Sequence, residues 1–166
     1  MIRDQLSLWE DPEQIILNKE KVDISTLKSS ANRKHSLDIL PKETYYIYKS
    51  GGINPFKKDL GPIFPFIKND KTGKIIKLAK STDETPTNAP YPHVHLNRGV
   101  GLKLYIHKIV AIAFIKLDEE SEKIKTSVDH LDHDIYNYLP SNLERVTPSE
   151  NNRRRRKYWV RKRWKQ

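Results

Sequence analysis

The apolar residues of this 166-residue chain occur in short runs separated by turn-forming residues. Between residues 44 and 78, the β-prone runs TYYIY, IFPFI and KIIKL alternate with the turn signals Ser50-Gly51-Gly52, Asn69-Asp70 and Thr72-Gly73. Hydrophobic residues make up only 36% of the chain, so the core must be modest. The pattern predicts short strands and hairpins in one compact unit rather than two ordinary domains.

A second hairpin and a helix are predicted after a proline-rich stretch. Residues 81–92 are polar and rich in proline, which predicts a loop. Residues 93–107 predict a hairpin that turns at Asn97-Arg98-Gly99, and residues 106–115 then change to helical spacing. The apolar stripe of that helix consists of Ile106, Ile109, Val110 and Ala113. The expected fold class is therefore α+β.

The net charge of +10 is concentrated at the C-terminus. Residues 153–166 hold nine of the 31 basic residues and no acid, whereas residues 1–152 hold 22 basic and 21 acidic residues. A clustered charge of this kind predicts contact with the phosphates of nucleic acid, and a solvated run or a localisation signal is the alternative. The candidate contact residues are Arg153, Arg154, Arg155, Arg156, Lys157, Arg161, Lys162 and Arg163.

Composition excludes several classes of protein. The chain has no cysteine, which excludes disulfides, zinc ribbons and thiolate nucleophiles, so a metal must use oxygen or imidazole ligands. No run approaches the roughly 18 apolar residues of a membrane span. The N-terminus lacks the apolar segment of a secretion signal. We expect a soluble intracellular protein without a membrane partner.

Residues 128–152, VDHLDHDIYNYLPSNLERVTPSENN, carry the chemistry. Asp129-His130 places a hard oxygen ligand beside the side chain best suited to proton transfer near neutral pH. Thr147-Pro148-Ser149-Glu150 has the form of a capping box, which predicts that a helix starts there. Asn151 would lie in its first turn and could bind one cation together with Asp129, a donor set that suits Mg²⁺. Continued through the basic tail, the helix would be about 28 Å long.

This stretch resembles the ββα-metal motif of HNH endonucleases. The matching pairs are D-H at 129–130, N-L at 142–143, V-T at 146–147 and E-N at 150–151. The resemblance is closest to the phage, intron and large-virus branch, in which asparagine replaces the last histidine. Residues 106–115 also resemble that branch's H-R-L-V-A-x-A-F segment, with His107 at its histidine. YYIYKSGGI and GKIIKL are similar to the NUMOD-type modules that often precede such nucleases.

The resemblance implies a role for each matching residue. His130 would be the general base, and Asp129 and Asn151 would bind one Mg²⁺ or Mn²⁺, with no zinc expected. Asn142 and His107 would have structural roles. Water attack with metal-stabilised departure of the 3′ oxygen implies products with 5′-phosphate and 3′-hydroxyl ends. The sequence departs from the family at His133, where a glycine is usual, and at Leu139-Pro140.

The predicted organisation has four parts. An N-terminal arm, residues 1–41, includes a helix near residues 11–22, and a β-rich NUMOD-like region with a linker covers residues 42–92. The HNH nuclease domain covers residues 93–152, and a basic C-terminal helix covers residues 153–166. The whole would be an α+β protein with a small ββα-metal domain, of viral, phage or mobile-element origin. It would act on DNA, with RNA as an alternative, as a monomer or weak dimer, and bind a protein partner through the arm.

Other interpretations remain open at this point. The chain could be a catalytically silent HNH-fold protein that binds nucleic acid or serves as a structural subunit of a DNA or RNA assembly. It could also be a partner-binding subunit of a viral or mobile-element machine. His93 and His95 alternate onto one strand face and could form a metal pair, although no third ligand is near in sequence.

Overall fold

The computed structural model describes residues 20–27, 43–80, 91–96 and 102–163. In these ranges the chain is a mixed α+β protein, as the sequence predicts, with seven strands and three α-helices. The elements are, in order, β1 (Lys21–Asp23), β2 (Tyr45–Gly52), β3 (Phe64–Asn69), β4 (His93–Leu96), β5 (Leu102–Tyr105), α1 (Ile106–Phe114), α2 (Glu119–Ile124), β6 (Ser127–His130), β7 (Leu143–Val146) and α3 (Pro148–Arg163).

Strands β1, β2 and β3 form an antiparallel sheet in that order. The predicted runs at 44–48 and 63–67 lie in β2 and β3, which confirms them as strands. Ile47 and Ile67 face each other across the two strands and are both buried, so the inner face of the sheet joins the core. A Cβ on Gly52 would lie 2.6 Å from the Cβ of Phe66, so the close approach of these strands requires glycine there.

The third predicted strand, residues 74–78, does not form. This run makes an isolated bridge, Lys68 with Ile75, and the chain then leaves β3 to bridge Ala79 with His93 of β4. The prediction is wrong because residues 74–79 cross from β3 to β4 instead of pairing along the length of β3. Its periodicity reflects burial of Ile76 and Leu78 against the core along the way.

A helix is predicted near residues 11–22, and residues 11–19 lie outside the described ranges. At its described end, residues 20–22, the prediction is wrong. Lys21 and Val22 belong to β1, which pairs with β2. The side chain of Asp23 then accepts a hydrogen bond from the backbone N–H of Ser25 at 2.8 Å and turns the chain. The region predicted as an arm therefore contributes a strand to the first sheet.

Strands β4 and β5 form the predicted hairpin, whose turn at residues 97–99 lies outside the described ranges. Strand β5 runs directly into α1. All members of the predicted stripe on α1 are buried: Ile106, Ile109, Val110 and Ala113. Helix α1 packs against β2, β5, β6 and β7 and is the centre of one core. In the described ranges no helix is both long and apolar enough to cross a lipid bilayer.

The last three elements form a strand–strand–helix unit. Strands β6 and β7 are antiparallel, and α3 packs against β6. The backbone N–H of Glu150 donates to Thr147 Oγ1 at 3.2 Å, so the threonine caps the helix as predicted. The other half of the capping box does not form, because the Glu150 carboxylate binds Arg153 and Arg154 instead. Helix α3 continues to Arg163, which confirms that the basic segment extends the capped helix.

Candidate active site

Asp129 and His130 are the last two residues of β6. Successive side chains of a strand point to opposite faces, so Asp129 and His130 have different neighbours. Asp129 turns toward α3 and contacts Arg154, while His130 turns toward the ring of Tyr91 and is only 5% exposed. A carboxylate and an imidazole therefore lie at one strand end, on opposite faces of the strand.

The imidazole of His130 lies in a cluster of rings. The Tyr91 ring is nearly parallel to it with centroids 6.0 Å apart, and the His107 ring is 5.2 Å away. Nε2 of His130 is enclosed and has no hydrogen-bond partner among the described residues. Burial lowers the pKa of His130, although nearby aspartates oppose the shift. The ring is therefore neutral near pH 7, the form that a general base requires.

Tyr91 is a member of this site that sequence reasoning missed. Its ring lies 4.7 Å from that of His107 and contacts His130 as well. Burial raises the pKa of the Tyr91 hydroxyl, while the charge of Arg155 on α3 lowers it. Tyr91 thus sits between the imidazole cluster and the basic helix. A single tyrosine within a proline-rich stretch carries no sequence signal for this position.

Arg154 binds three carboxylates at the start of α3. Its Nη1 donates to Glu144 at 2.6 Å and to Asp129 at 3.2 Å, and its Nε donates to Glu150 at 2.7 Å. These hydrogen bonds raise the pKa of Arg154 further, so the guanidinium stays charged. The sequence predicts Arg154 as a nucleic-acid contact, but the structure places it against this carboxylate cluster.

Asp129 and Asn151 both carry side-chain oxygens, the type of donor that a hard divalent cation prefers. The Asp129 carboxylate is 14% exposed and lines an open cleft between β6 and α3. Asn151 lies half-buried in the first turn of α3, the helix that packs against β6. One carboxylate and one amide suit Mg²⁺, which keeps several waters. Among the described residues no group of three or more His, Cys, Asp or Glu could hold a metal ion. The predicted pair has only two protein ligands, so water molecules would complete the coordination of a bound cation.

Asn142 braces the loop that joins β6 to β7. Its Nδ2 donates to Asp132 Oδ1 at 2.9 Å and to the Asn137 carbonyl at 2.8 Å, and its Oδ1 accepts from the Asp132 N–H. This is the bracing role that the resemblance implies. Pro140, where the sequence departs from the family, fits as the first residue of a short 3₁₀ helix, Pro140–Asn142.

His133 is the other departure from the family, and its backbone explains why glycine is usual there. Its φ of 61° lies in the left-handed region and is the only positive φ of a non-glycine residue in the described ranges. The imidazole lies 4.2 Å from the ring of Tyr158 on α3. Sequence reasoning identified the position but not this contact.

The remaining predicted residues lie around this centre. His107 is buried beside Tyr91 and Tyr105, which agrees with a structural role. The rings of His93 and His95 lie 5.0 Å apart. On α3, Arg153, Arg155, Arg156 and Lys157 are exposed, although Arg153 pairs with Glu150. The side chains of Arg161, Lys162 and Arg163 lie outside the described part of the chain.

The buried histidines make stability depend on pH. Burial lowers the pKa of His93 and lowers that of His107 well below its ordinary value. The unfolded chain therefore takes up protons as the pH falls below about 6.5, while these folded rings stay neutral. Stability is complete above that pH and declines below it, by up to about 1.4 kcal/mol per pH unit for each histidine. Thermal unfolding should show a lower Tm at about pH 5.5 than at about pH 7.5; an equal Tm would contradict this assignment.

Comparison with known proteins gives no further guide to this site. No protein-family model matches the chain, and no curated protein and no solved structure matches it. Its function must therefore be inferred from the residues of the site and from the sequence resemblance.

Proposed function

We propose that this chain is a metal-dependent DNA endonuclease of the HNH type, in which β6, β7 and α3 form the ββα-metal unit. The observation that supports it most is the placement of Asp129 and His130 at the end of a strand against which α3 packs. Asn151 lies in the first turn of that helix, and Asn142 closes the intervening loop. The resemblance implies the same order of strand, braced loop, strand and helix.

In this proposal His130 acts as the general base. Its imidazole takes a proton from a water molecule as the water oxygen attacks phosphorus, and the bond from phosphorus to the 3′ oxygen breaks. The products carry a 5′-phosphate and a 3′-hydroxyl. Asp129 and Asn151 would hold Mg²⁺ or Mn²⁺, which when bound supplies electrostatic stabilisation of the developing negative charge.

The ion pair between Asp129 and Arg154 is compatible with metal binding at Asp129. Arg154 makes its shorter bonds to Glu144 and Glu150, at 2.6 and 2.7 Å, and only a 3.2 Å bond to Asp129. It would therefore keep two carboxylate partners if Asp129 bound a cation. Without a cation, Arg154 offsets the negative charge of Asp129, whose side chain lines the cleft.

Helix α3 would bind the phosphates on either side of the cleaved bond. Exposed Arg155, Arg156 and Lys157 lie on α3 about one to two turns after Asn151, so the cationic surface starts close to the proposed reaction site. Side chains of this kind fix the register of a protein on nucleic acid without reading its sequence. DNA is the expected substrate, with RNA as the alternative.

The chemistry of the nick tests this mechanism. Supercoiled plasmid incubated with the protein and Mg²⁺ should give nicked circles that DNA ligase reseals, because ligase requires a 5′-phosphate beside a 3′-hydroxyl. Phosphatase treatment before ligation should block resealing and serves as the control. Nicks that ligase cannot seal would contradict the proposed attack and leaving group.

A catalytically silent nucleic-acid-binding protein is the second candidate. Two observations favour it: the His130 ring is almost fully buried, and Asp129 is engaged by Arg154. Such a protein would use the cationic surface of α3 to bind phosphates and would leave plasmid intact. The cleavage assay separates the two candidates.

A further inference from the structure

A cleft of about 270 Å³ separates the start of the β6–β7 loop from α3. Its walls are formed by Asp129, Leu131, His133, Arg154, Lys157 and Tyr158. The volume is just below the roughly 300–1,000 Å³ of sites that enclose a whole small molecule, so the cleft suits a single group of a larger ligand. It opens beside Asp129, the proposed metal ligand.

The aromatic wall of this cleft is built at a conformational cost. His133 has a left-handed backbone, φ 61°, a conformation that residues with a Cβ adopt uncommonly, although histidine adopts it more often than most. The residue is exposed, and its ring lies against that of Tyr158 with centroids 4.2 Å apart. Strain of this kind at a cleft points to a function for the side chain. Glycine would relieve the strain but would remove the ring.

The other walls complement a nucleotide. Leu131 is 52% exposed and offers an apolar surface, while Lys157 is an exposed cation. Arg154 is occupied by three carboxylates, which leaves Lys157 as the cation of this cleft best placed to meet a phosphate. An exposed aromatic plane beside a cation is the combination with which proteins bind unpaired nucleotides.

We propose that this cleft binds an unpaired nucleobase of the substrate strand, stacked on the exposed face of His133, with Lys157 on the adjoining phosphate. The position of that base, next to the cleaved phosphate, rests on the proposed function; the binding itself does not. His133 would thus favour substrates that are single-stranded, frayed or locally opened, since a base inside a duplex cannot reach the ring.

Binding to two single-stranded oligonucleotides of equal length, in EDTA to prevent cleavage, tests this inference. One is oligothymidylate and the other is an abasic strand with the same phosphates. The full-length protein should bind oligothymidylate about 5- to 100-fold more tightly, the usual gain from stacking a base on an aromatic ring. His133→Ala should reduce that preference at least several-fold and leave the affinity for the abasic strand unchanged.

Two further variants make the result decisive. His133→Gly removes the ring and relieves the backbone strain, so it should fold at least as well as the wild type and lose the same preference. Lys157→Ala should weaken binding to both strands by the same factor, because it removes a phosphate contact. Retention of the full preference by both His133 variants would overturn the inference.

The outcome is independent of the test for cleavage. A protein that nicks plasmid but shows no base preference overturns this inference and leaves the proposed function intact. A protein with a His133-dependent base preference that never nicks overturns the proposed function and supports the cleft as a nucleic-acid site.

Discussion

His130→Ala is expected to lower the rate of metal-dependent DNA cleavage by about 100- to 10,000-fold, the usual contribution of a positioned general base. Binding to DNA should remain close to that of the wild type, because the exposed basic side chains of α3 are untouched. Rates of plasmid nicking in Mg²⁺ and affinities measured in EDTA separate these two effects. A loss of both would indicate that the substitution disrupts the fold.

Two matched variants control for the burial of this side chain. His130→Gln keeps a side chain of similar size in the ring cluster and should be equally inactive, because an amide cannot take the proton. His95→Ala removes an exposed histidine from β4 and should cleave at the wild-type rate. Undiminished cleavage by a folded His130→Ala protein would refute the assigned base.

Of the substitutions proposed for this protein, Glu122→Ala is expected to lower the free energy of unfolding most. Arg145 on β7 has only 4% of its side chain exposed, and both its terminal nitrogens donate to the Glu122 carboxylate, Nη2 at 2.6 Å. Removing the carboxylate leaves a buried guanidinium without its charged partner, which costs about 3–5 kcal/mol in a fully buried pair. Glu122 is one-third exposed, so the lower end, about 3 kcal/mol, applies. Chemical denaturation of both proteins measures the difference.

Glu120→Ala is the matched control, since Glu120 lies exposed on the same helix. It should change the free energy of unfolding by less than about 0.5 kcal/mol. The double variant Glu122→Leu, Arg145→Met should recover most of the loss, because apolar residues of similar volume can replace a buried ion pair. Equal stability of Glu122→Ala and Glu120→Ala would show that the ion pair does not fasten α2 to β7.

Local signals predicted the elements on which the site is built. The spacing of apolar residues on α1 and the threonine cap before Pro148 depend on neighbours within a few positions, so the sequence reveals them directly. Asn142 could be assigned to the loop because its spacing from His130 matches a known motif.

Contacts between residues distant in sequence could not be predicted in this way. Tyr91 meets His130 only because α1 packs against β6 in the folded chain, and no local pattern encodes that approach. The pairing of β1 with β2 likewise depends on register between strands that are separated in sequence by residues 24–44. In the sequence, Arg154 is one of four consecutive arginines and nothing distinguishes it from the others. In the structure, its position on α3 brings its guanidinium into contact with Glu144 of β7.

We propose that Asp129, His130 and Asn151 cut DNA with the help of one divalent cation. Incubation of supercoiled plasmid with the purified protein, with Mg²⁺ or with EDTA, tests this activity. We expect nicked circles that accumulate with time in Mg²⁺, none in EDTA, and none with Asp129→Ala in either condition. Plasmid that stays supercoiled in Mg²⁺ and in Mn²⁺, with a protein that binds it, would show that the chain is not a nuclease of this type.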